Sequence, residues 1–173
     1  MPEKQLHHNI PNDILIVDDE VPNLQLLSEL LSVEGYKVRP ANKPQLAIDS
    51  ALERAPKLIL LDVKMPEMDG FEVCKRLKQD ARTRDIPILF ISALQDVRDK
   101  VQGFEAGGVD FITKPFHQAE VLIRVRTQIN LRDMQLNMEN IIAERTAEII
   151  EREERFRGTF EQAGVGIAHE MAW

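Results

Sequence analysis

Apolar positions along the chain alternate between two textures. Short apolar runs occur at Ile14–Val17, Leu58–Leu61, Ile86–Ser92 and Val109–Thr113, with a weaker one at Tyr36–Arg39. Runs of this length bounded by turn residues predict strands, and the continuous ones predict strands buried on both faces, as in a parallel sheet. Between them the spacing becomes helical. Leu24, Leu27 and Leu31 share a stripe with Leu26 and Leu30 beside it, Pro22 suits the first turn and Gly35 ends the helix. Pro44 to Ala55 carries Ala47, Ile48, Ala51 and Leu52 at helical spacing; Phe71, Cys74 and Leu77 form another stripe. Val97, Val101 and Phe104 mark a further helix that Gly107-Gly108 terminates, and Leu122, Val125 and Ile129 are placed to cover the sheet. Five strands alternating with helices predict an α/β, doubly wound parallel sheet joined by right-handed crossovers. Cys74 falls on a buried stripe and reads as a small core hydrophobe.

From His117 the pattern changes, and helical spacing continues without a Pro or Gly until Gly158. Leu131, Met134, Met138, Ile142, Ile149, Phe156 and Phe160 recur at steps that mostly sum to seven, with Thr146 and Glu153 filling the seam and a stutter around Ile142. Glu148 with Arg152, Glu151 with Arg155 and Glu153 with Arg157 are glutamate-first pairs four residues apart, which favour a helix. A lone helix of this kind would expose its apolar stripe, so pairing with a second copy as a coiled coil, a homodimer through residues 131–160, is the expectation. A solvated charged helix is the alternative.

Composition narrows the class. The 173 residues hold one full domain and part of something else, and 43 % hydrophobic content suffices for a core. A net charge of -7 argues against a nucleic-acid surface, and no apolar run reaches transmembrane length. Residues 1–12, with Pro2, Pro11 and the adjacent His7 and His8, read as a solvated flexible tail without a signal-peptide core. The single cysteine suits a reducing cytoplasm.

The candidate chemistry lies where the strands end. The first strand runs into Asp18-Asp19 and the third into Asp62, and in a doubly wound sheet these strands are neighbours. Three carboxylates at one edge call for a cation, and hard oxygen donors without His or Cys suit Mg²⁺. Ser92 ends the fourth strand and Lys114 follows the fifth. An aspartate beside Mg²⁺, a lysine and a hydroxyl are the parts needed to accept a phosphoryl group as an acyl phosphate.

Residues 14 to about 129 resemble the receiver domain of two-component response regulators. The resemblance is carried by Asp18-Asp19, the block Asp62-Val-Lys-Met-Pro-Glu-Met-Asp-Gly70, Ser92-Ala93 and Lys114-Pro115, in that order. It implies a flavodoxin-like sheet with strand order 2-1-3-4-5 over residues 13–130. It also implies that Asp62 is phosphorylated by a histidine kinase or a phosphotransfer protein. Asp19, Asp62 and the backbone carbonyl of Lys64 would hold Mg²⁺, with Asp18 helping through water, while Ser92, the Ala93 N–H and Lys114 would hold the phosphoryl oxygens. Ser92 and Phe111 would form the switch, Phe111 standing where the family commonly has tyrosine. Lys64 and Leu94 lie where the family varies its dephosphorylation rate, and Lys114-Pro115 is a bond that can be cis. A haloacid-type phosphatase would need a second aspartate at Lys64.

Residues 131–157 then read as a signalling helix. Glu154–Ala168 resembles the entry to a PAS domain, so residues 158–173 are expected to be its truncated start, with a strand beginning at Gly166-Ile167. His169-Glu170 reads as an incidental pair. Receivers joined to PAS domains stand ahead of both histidine kinases and diguanylate cyclases, and these residues choose neither. The expected role is a cytoplasmic phosphoacceptor switch relaying through the helix to a missing output; a constitutive dimerisation scaffold with little phosphoryl turnover is the alternative.

Overall fold

A computed structural model describes residues 12–93 and 97–170, without the side chains of 165–170. Most of the expected tail, Leu94 and Trp173 lie outside the described residues, as do the side chains of His169 and Glu170. Strands β1 (Asp13–Val17), β2 (Lys37–Ala41), β3 (Leu58–Asp62), β4 (Ile88–Ser92) and β5 (Asp110–Thr113) alternate with helices α1 (Val21–Val33), α2 (Pro44–Glu53), α3 (Gly70–Gln79), α4 (Val97–Ala106) and α5 (Gln118–Glu170). Every strand pair is parallel, in the order β2-β1-β3-β4-β5. This is the doubly wound parallel sheet the alternation predicts, in the flavodoxin-like order the resemblance implies.

The period of two along the strands sorts the core onto two faces. Leu15, Val17, Ile59, Leu61, Ile88 and Phe90 meet Ala47 and Ala51 of α2 and Phe71, Cys74 and Leu77 of α3. Ile14, Ile16, Leu58, Leu60, Leu89, Ile91 and Ile112 meet Leu24, Leu27 and Leu31 of α1 and Val121, Val125 and Ile129 of α5. Burying each such Leu or Ile contributes about 1.5–3 kcal/mol, which makes the three central strands the rigid base of the fold. Pro40 sits in β2, an edge strand, where its missing N–H is tolerated. Burial pushes the Cys74 thiol up to about 11, in keeping with its role as a core residue.

At the N-terminal end of the sheet Asp13 is buried and ion-paired. Arg39 Nε lies 3.0 Å and Arg54 Nη2 3.2 Å from its Oδ2. Arg39 also donates to Ser50 Oγ at 2.8 Å, so one guanidinium joins β1, β2 and α2.

The helix expected from Val97, Val101 and Phe104 is α4; these residues are 72 %, 49 % and 50 % exposed, and α4 buries Gly103 and Ala106. Gly103 lets the helix come close to the Phe111 and Phe71 rings, which leaves the larger side chains outside. One local expectation is corrected: Gly166-Ile167, expected to begin a strand, is helical, within a helix α5 that continues through Gly158 and Gly164 to Glu170. A glycine costs an α-helix only about 1 kcal/mol relative to alanine and is no obligatory stop.

The chain divides into two units, one ending at Arg132 and one beginning at Asp133. In the second unit Met134, Met138, Ile142, Ile149, Phe156 and Phe160 are exposed, and Glu151 pairs with Arg155 at 2.7 Å. No described helix is long and apolar enough to cross a membrane.

Candidate functional site

Because all five strands run the same way, their carboxyl ends share one edge of the sheet, where open α/β folds place their ligands. Strand β1 delivers Asp18 and Asp19, β3 ends in Asp62, β4 ends in Ser92, and β5 leads to Lys114. The adjacency of β1 and β3, with Val17 level with Leu61, brings the first two acids beside Asp62. Carboxylate oxygens of Asp18, Asp19 and Asp62 lie within 4.8 Å of one another. Asp18, Asp62 and Ser92 are buried, while Asp19 faces solvent.

One cation joins two of these acids. Lys114 Nζ lies 3.1 Å from Asp18 Oδ2 and 3.3 Å from Asp62 Oδ1. The backbone N–H of Lys114 donates to the Ser92 carbonyl at 2.8 Å, which fixes its position across β4, and the Lys114-Pro115 bond is cis. Asp18 is saturated further: its Oδ1 accepts from the Glu20 N–H at 2.8 Å and its Oδ2 from Asn23 Nδ2 at 3.0 Å.

The electrostatics follow from this crowding. Burial, and then the Asp18 charge, push the Asp62 carboxyl up to about 6; Lys114 pulls the other way and Asp19 adds a smaller push. Burial works against the Lys114 ammonium, but Asp62 and Asp18 outweigh it and hold its pKa above the usual lysine value. A protonated lysine therefore stands beside a carboxyl that keeps its proton to higher pH than an ordinary aspartate. Three hard oxygen donors so arranged, two of them buried, fit a divalent cation of the Mg²⁺ type.

The loop after Asp62 is tightly built. Gly70 N–H donates to the Val63 carbonyl at 2.8 Å, and Met68 N–H to the Pro66 carbonyl at 2.8 Å around Glu67, whose φ is 70°. Such a γ-turn with positive φ at a non-glycine residue stores strain. Asp69 caps α3 by accepting from the Glu72 N–H at 2.8 Å. At Gly70 a β-carbon would overlap the Asp62 carbonyl oxygen and stand 3.0 Å from Val63 Cα, so only glycine lets the start of α3 rest on the acceptor's backbone. Lys64 is exposed and lines a shallow groove with Met65, Pro66 and Asp69, across from Asp99 and Gln102 of α4.

The predicted residues thus fall into three groups. Asp18, Asp19, Asp62 and Lys114 converge. Ser92 and the exposed Ala93 lie at the adjoining strand end, and Lys64 on the loop two residues after Asp62. Phe111 is buried in β5 against Phe90, on the face of the sheet covered by α2 and α3. Asn23 and the contact role of Gly70 are additions. An asparagine one turn into a helix carries no pattern of its own, and a glycine's close approach is invisible before its neighbour is placed.

Comparison with known proteins agrees with this geometry. The sequence profile of the response regulator receiver domain matches residues 14–126. The chain is 43 % identical over 120 residues to the DNA-binding dual master transcriptional regulator RpaA of Synechocystis, covering 69 % of this chain and 50 % of the relative. It is 46 % identical over 114 residues to the response regulator PleD of Caulobacter vibrioides, covering 66 % of this chain and 25 % of that protein. The match thus spans half or less of the length of these curated relatives. Among solved structures, the signal receiver domain of a signal transduction histidine kinase from Syntrophus aciditrophicus superposes with a TM-score of 0.64 at 35 % identity, covering 68 % of this chain and 89 % of that one. On the strength of the profile match and these relatives, the chain belongs to the response regulator receiver domain family.

Proposed function

We propose that this chain accepts a phosphoryl group on Asp62 from a histidine kinase or phosphotransfer protein and passes the change on through its last helix. The observation that carries the reading is the bridging of Asp18 and Asp62 by one lysine ammonium, with Asp19 alongside. An Asp62 carboxylate oxygen attacks the donor's phosphorus; the new O–P bond forms as the bond from phosphorus to the leaving nitrogen or oxygen breaks, and the leaving group keeps that electron pair. Lys114 meets one phosphoryl oxygen, and the Ser92 hydroxyl and Ala93 N–H meet the others, stabilising charge where it develops.

Asp19, Asp62 and the Lys64 carbonyl would hold Mg²⁺. Asp18, already saturated by Lys114, Asn23 and the Glu20 N–H, is better suited to act through water. When bound, the ion supplies positive charge that neutralises the transferring oxygens. Ser92 and Phe111 form the switch that reads the modification. The exposed stripe from Met134 to Phe160 supports a coiled-coil homodimer through residues 131–160, with residues 158–173 leading into a PAS-like domain. The setting is cytoplasmic.

The same stripe favours a second reading, a constitutive dimer that turns over little phosphate. Acetyl phosphate with Mg²⁺ discriminates: phosphate on Asp62 in the wild type and none in Asp62→Asn supports the acceptor, and an unmodified wild type leaves the scaffold.

A further inference from the structure

Helix α1 opens with an asparagine where a helix ordinarily favours an acid. Asn23 is the third residue of α1, and the first turn of that helix carries no Asp or Glu. The partial positive charge at a helix N-terminus favours a carboxylate there, whereas asparagine inside a helix is neutral to unfavourable. The amide has a different use. Asn23 Nδ2 donates to Asp18 Oδ2 at 3.0 Å. An ionised carboxylate only accepts, so the amide must present its nitrogen to the acid.

Asp18 accepts on both oxygens. Its Oδ1 takes the Glu20 N–H at 2.8 Å, and its Oδ2 takes both Asn23 Nδ2 and Lys114 Nζ, the latter at 3.1 Å. Both lone-pair positions of Oδ2 are thus filled. Lys114 is itself divided, since its ammonium also lies 3.3 Å from Asp62 Oδ1. Asn23 and Lys114 draw on the same oxygen, and the amide satisfies part of the charge that would otherwise pull the ammonium wholly onto Asp18. Being neutral, it does so without adding charge beside Asp18, Asp19 and Asp62.

We propose that Asn23 is a positioning residue for phosphoryl acceptance: by occupying Asp18 Oδ2 it holds Lys114 between the two acids, within reach of the oxygens that arrive on Asp62. The proposal rests on the reading of Asp62 as a phosphoacceptor and deepens it. Without the amide, Asp18 draws the ammonium to itself and Asp62 loses its positive neighbour. Two effects of opposite sign follow. Transfer slows, because Lys114 no longer meets the phosphoryl oxygens as charge develops on them. A divalent cation binds more tightly, because the protein's own donors neutralise the carboxylates less well.

The test compares the full chain with Asn23→Ala and Asn23→Asp, each checked for folding by circular dichroism. Titration calorimetry with Mg²⁺ alone is expected to give tighter binding in both variants, and the tighter of the two in Asn23→Asp. At saturating Mg²⁺, labelling by acetyl phosphate is expected to slow by about tenfold or more in each, the range for a hydrogen bond to a charged group. A residue that merely completed α1 would behave otherwise, since Asn23→Asp suits a helix N-terminus and would label as the wild type does. Mg²⁺ binding that is unchanged or weaker in both variants, or labelling that is unchanged in both, overturns the proposal. A wild type that takes no phosphate on Asp62 overturns the phosphoacceptor reading instead. The calorimetry needs no phosphodonor, so it still decides what Asn23 does. Should one variant fail to fold, the other is read alone.

Discussion

Gly70 lies directly on the backbone of Asp62: the carbonyl oxygen of the acid occupies the space that a β-carbon at position 70 would take. The acceptor is thereby held from two sides. The sheet fixes it through its pairing with β4, and the start of α3 fixes it through the Gly70–Val63 hydrogen bond. Adding a methyl group must push the Asp62 carbonyl or the helix aside. Gly70→Ala is expected to destabilise the domain by about 1–3 kcal/mol, the range for overpacking. It is also expected to slow phosphorylation by roughly 100-fold, since displacements of about 1 Å at a reacting group cost that much. Urea denaturation and the rate of labelling by acetyl phosphate measure the two effects.

The opposite end of β1 carries a purely structural ion pair. Asp13 is 1 % exposed against Arg39 and Arg54, and its removal leaves the Arg39 guanidinium largely buried without its counter-charge. Asp13→Ala should cost about 3 kcal/mol in chemical denaturation, the lower end for breaking a buried pair, because Arg39 retains some exposure. Labelling of the surviving folded protein should be unchanged.

Asp62 sets a pH dependence whose sign follows from its raised pKa. The folded carboxyl titrates near 6, above its ordinary 3.8, so the folded state binds the proton more tightly than the unfolded chain. This contribution to stability is fully present below the unfolded value and is lost as pH rises through about 6. Phosphoryl acceptance has the opposite dependence, because only the carboxylate attacks, and it should decline as pH falls below about 6. Raising Mg²⁺ should move that midpoint downward. Urea titrations of wild type and Asp62→Asn across this range check the first statement, since the substituted side chain removes the titration. Labelling rates at low and high Mg²⁺ check the second.

Much of this site was readable from the order of residue types. Asp62 and Ser92 end apolar runs, and such runs become central strands because nothing else buries both faces. Phe104 shows where that logic stops: its stripe had helical spacing, yet α4 packs through Gly103 and Ala106, whose smallness matters only once Phe111 is in place. Gly166-Ile167 shows the same limit in the second unit, where a pair expected to begin a strand lies inside a continuing helix. Pattern reports which residues can be buried; which face is buried depends on the shape of the partner.

Association of the second unit is open to a direct substitution. Ile142 and Ile149 are exposed and distant in sequence from the acidic cluster, so replacing both with Asp should leave the receiver domain folded. In sedimentation the wild type should be a dimer and Ile142→Asp/Ile149→Asp a monomer. A variant that remains a tight dimer excludes residues 131–160 as the seam.

The most direct test of the account is mass spectrometry after incubation with acetyl phosphate and Mg²⁺. The account predicts one phosphoryl group per chain, located on Asp62 and absent from Asp62→Asn. A wild type that stays unmodified, or a variant that is labelled as well as the wild type, contradicts it.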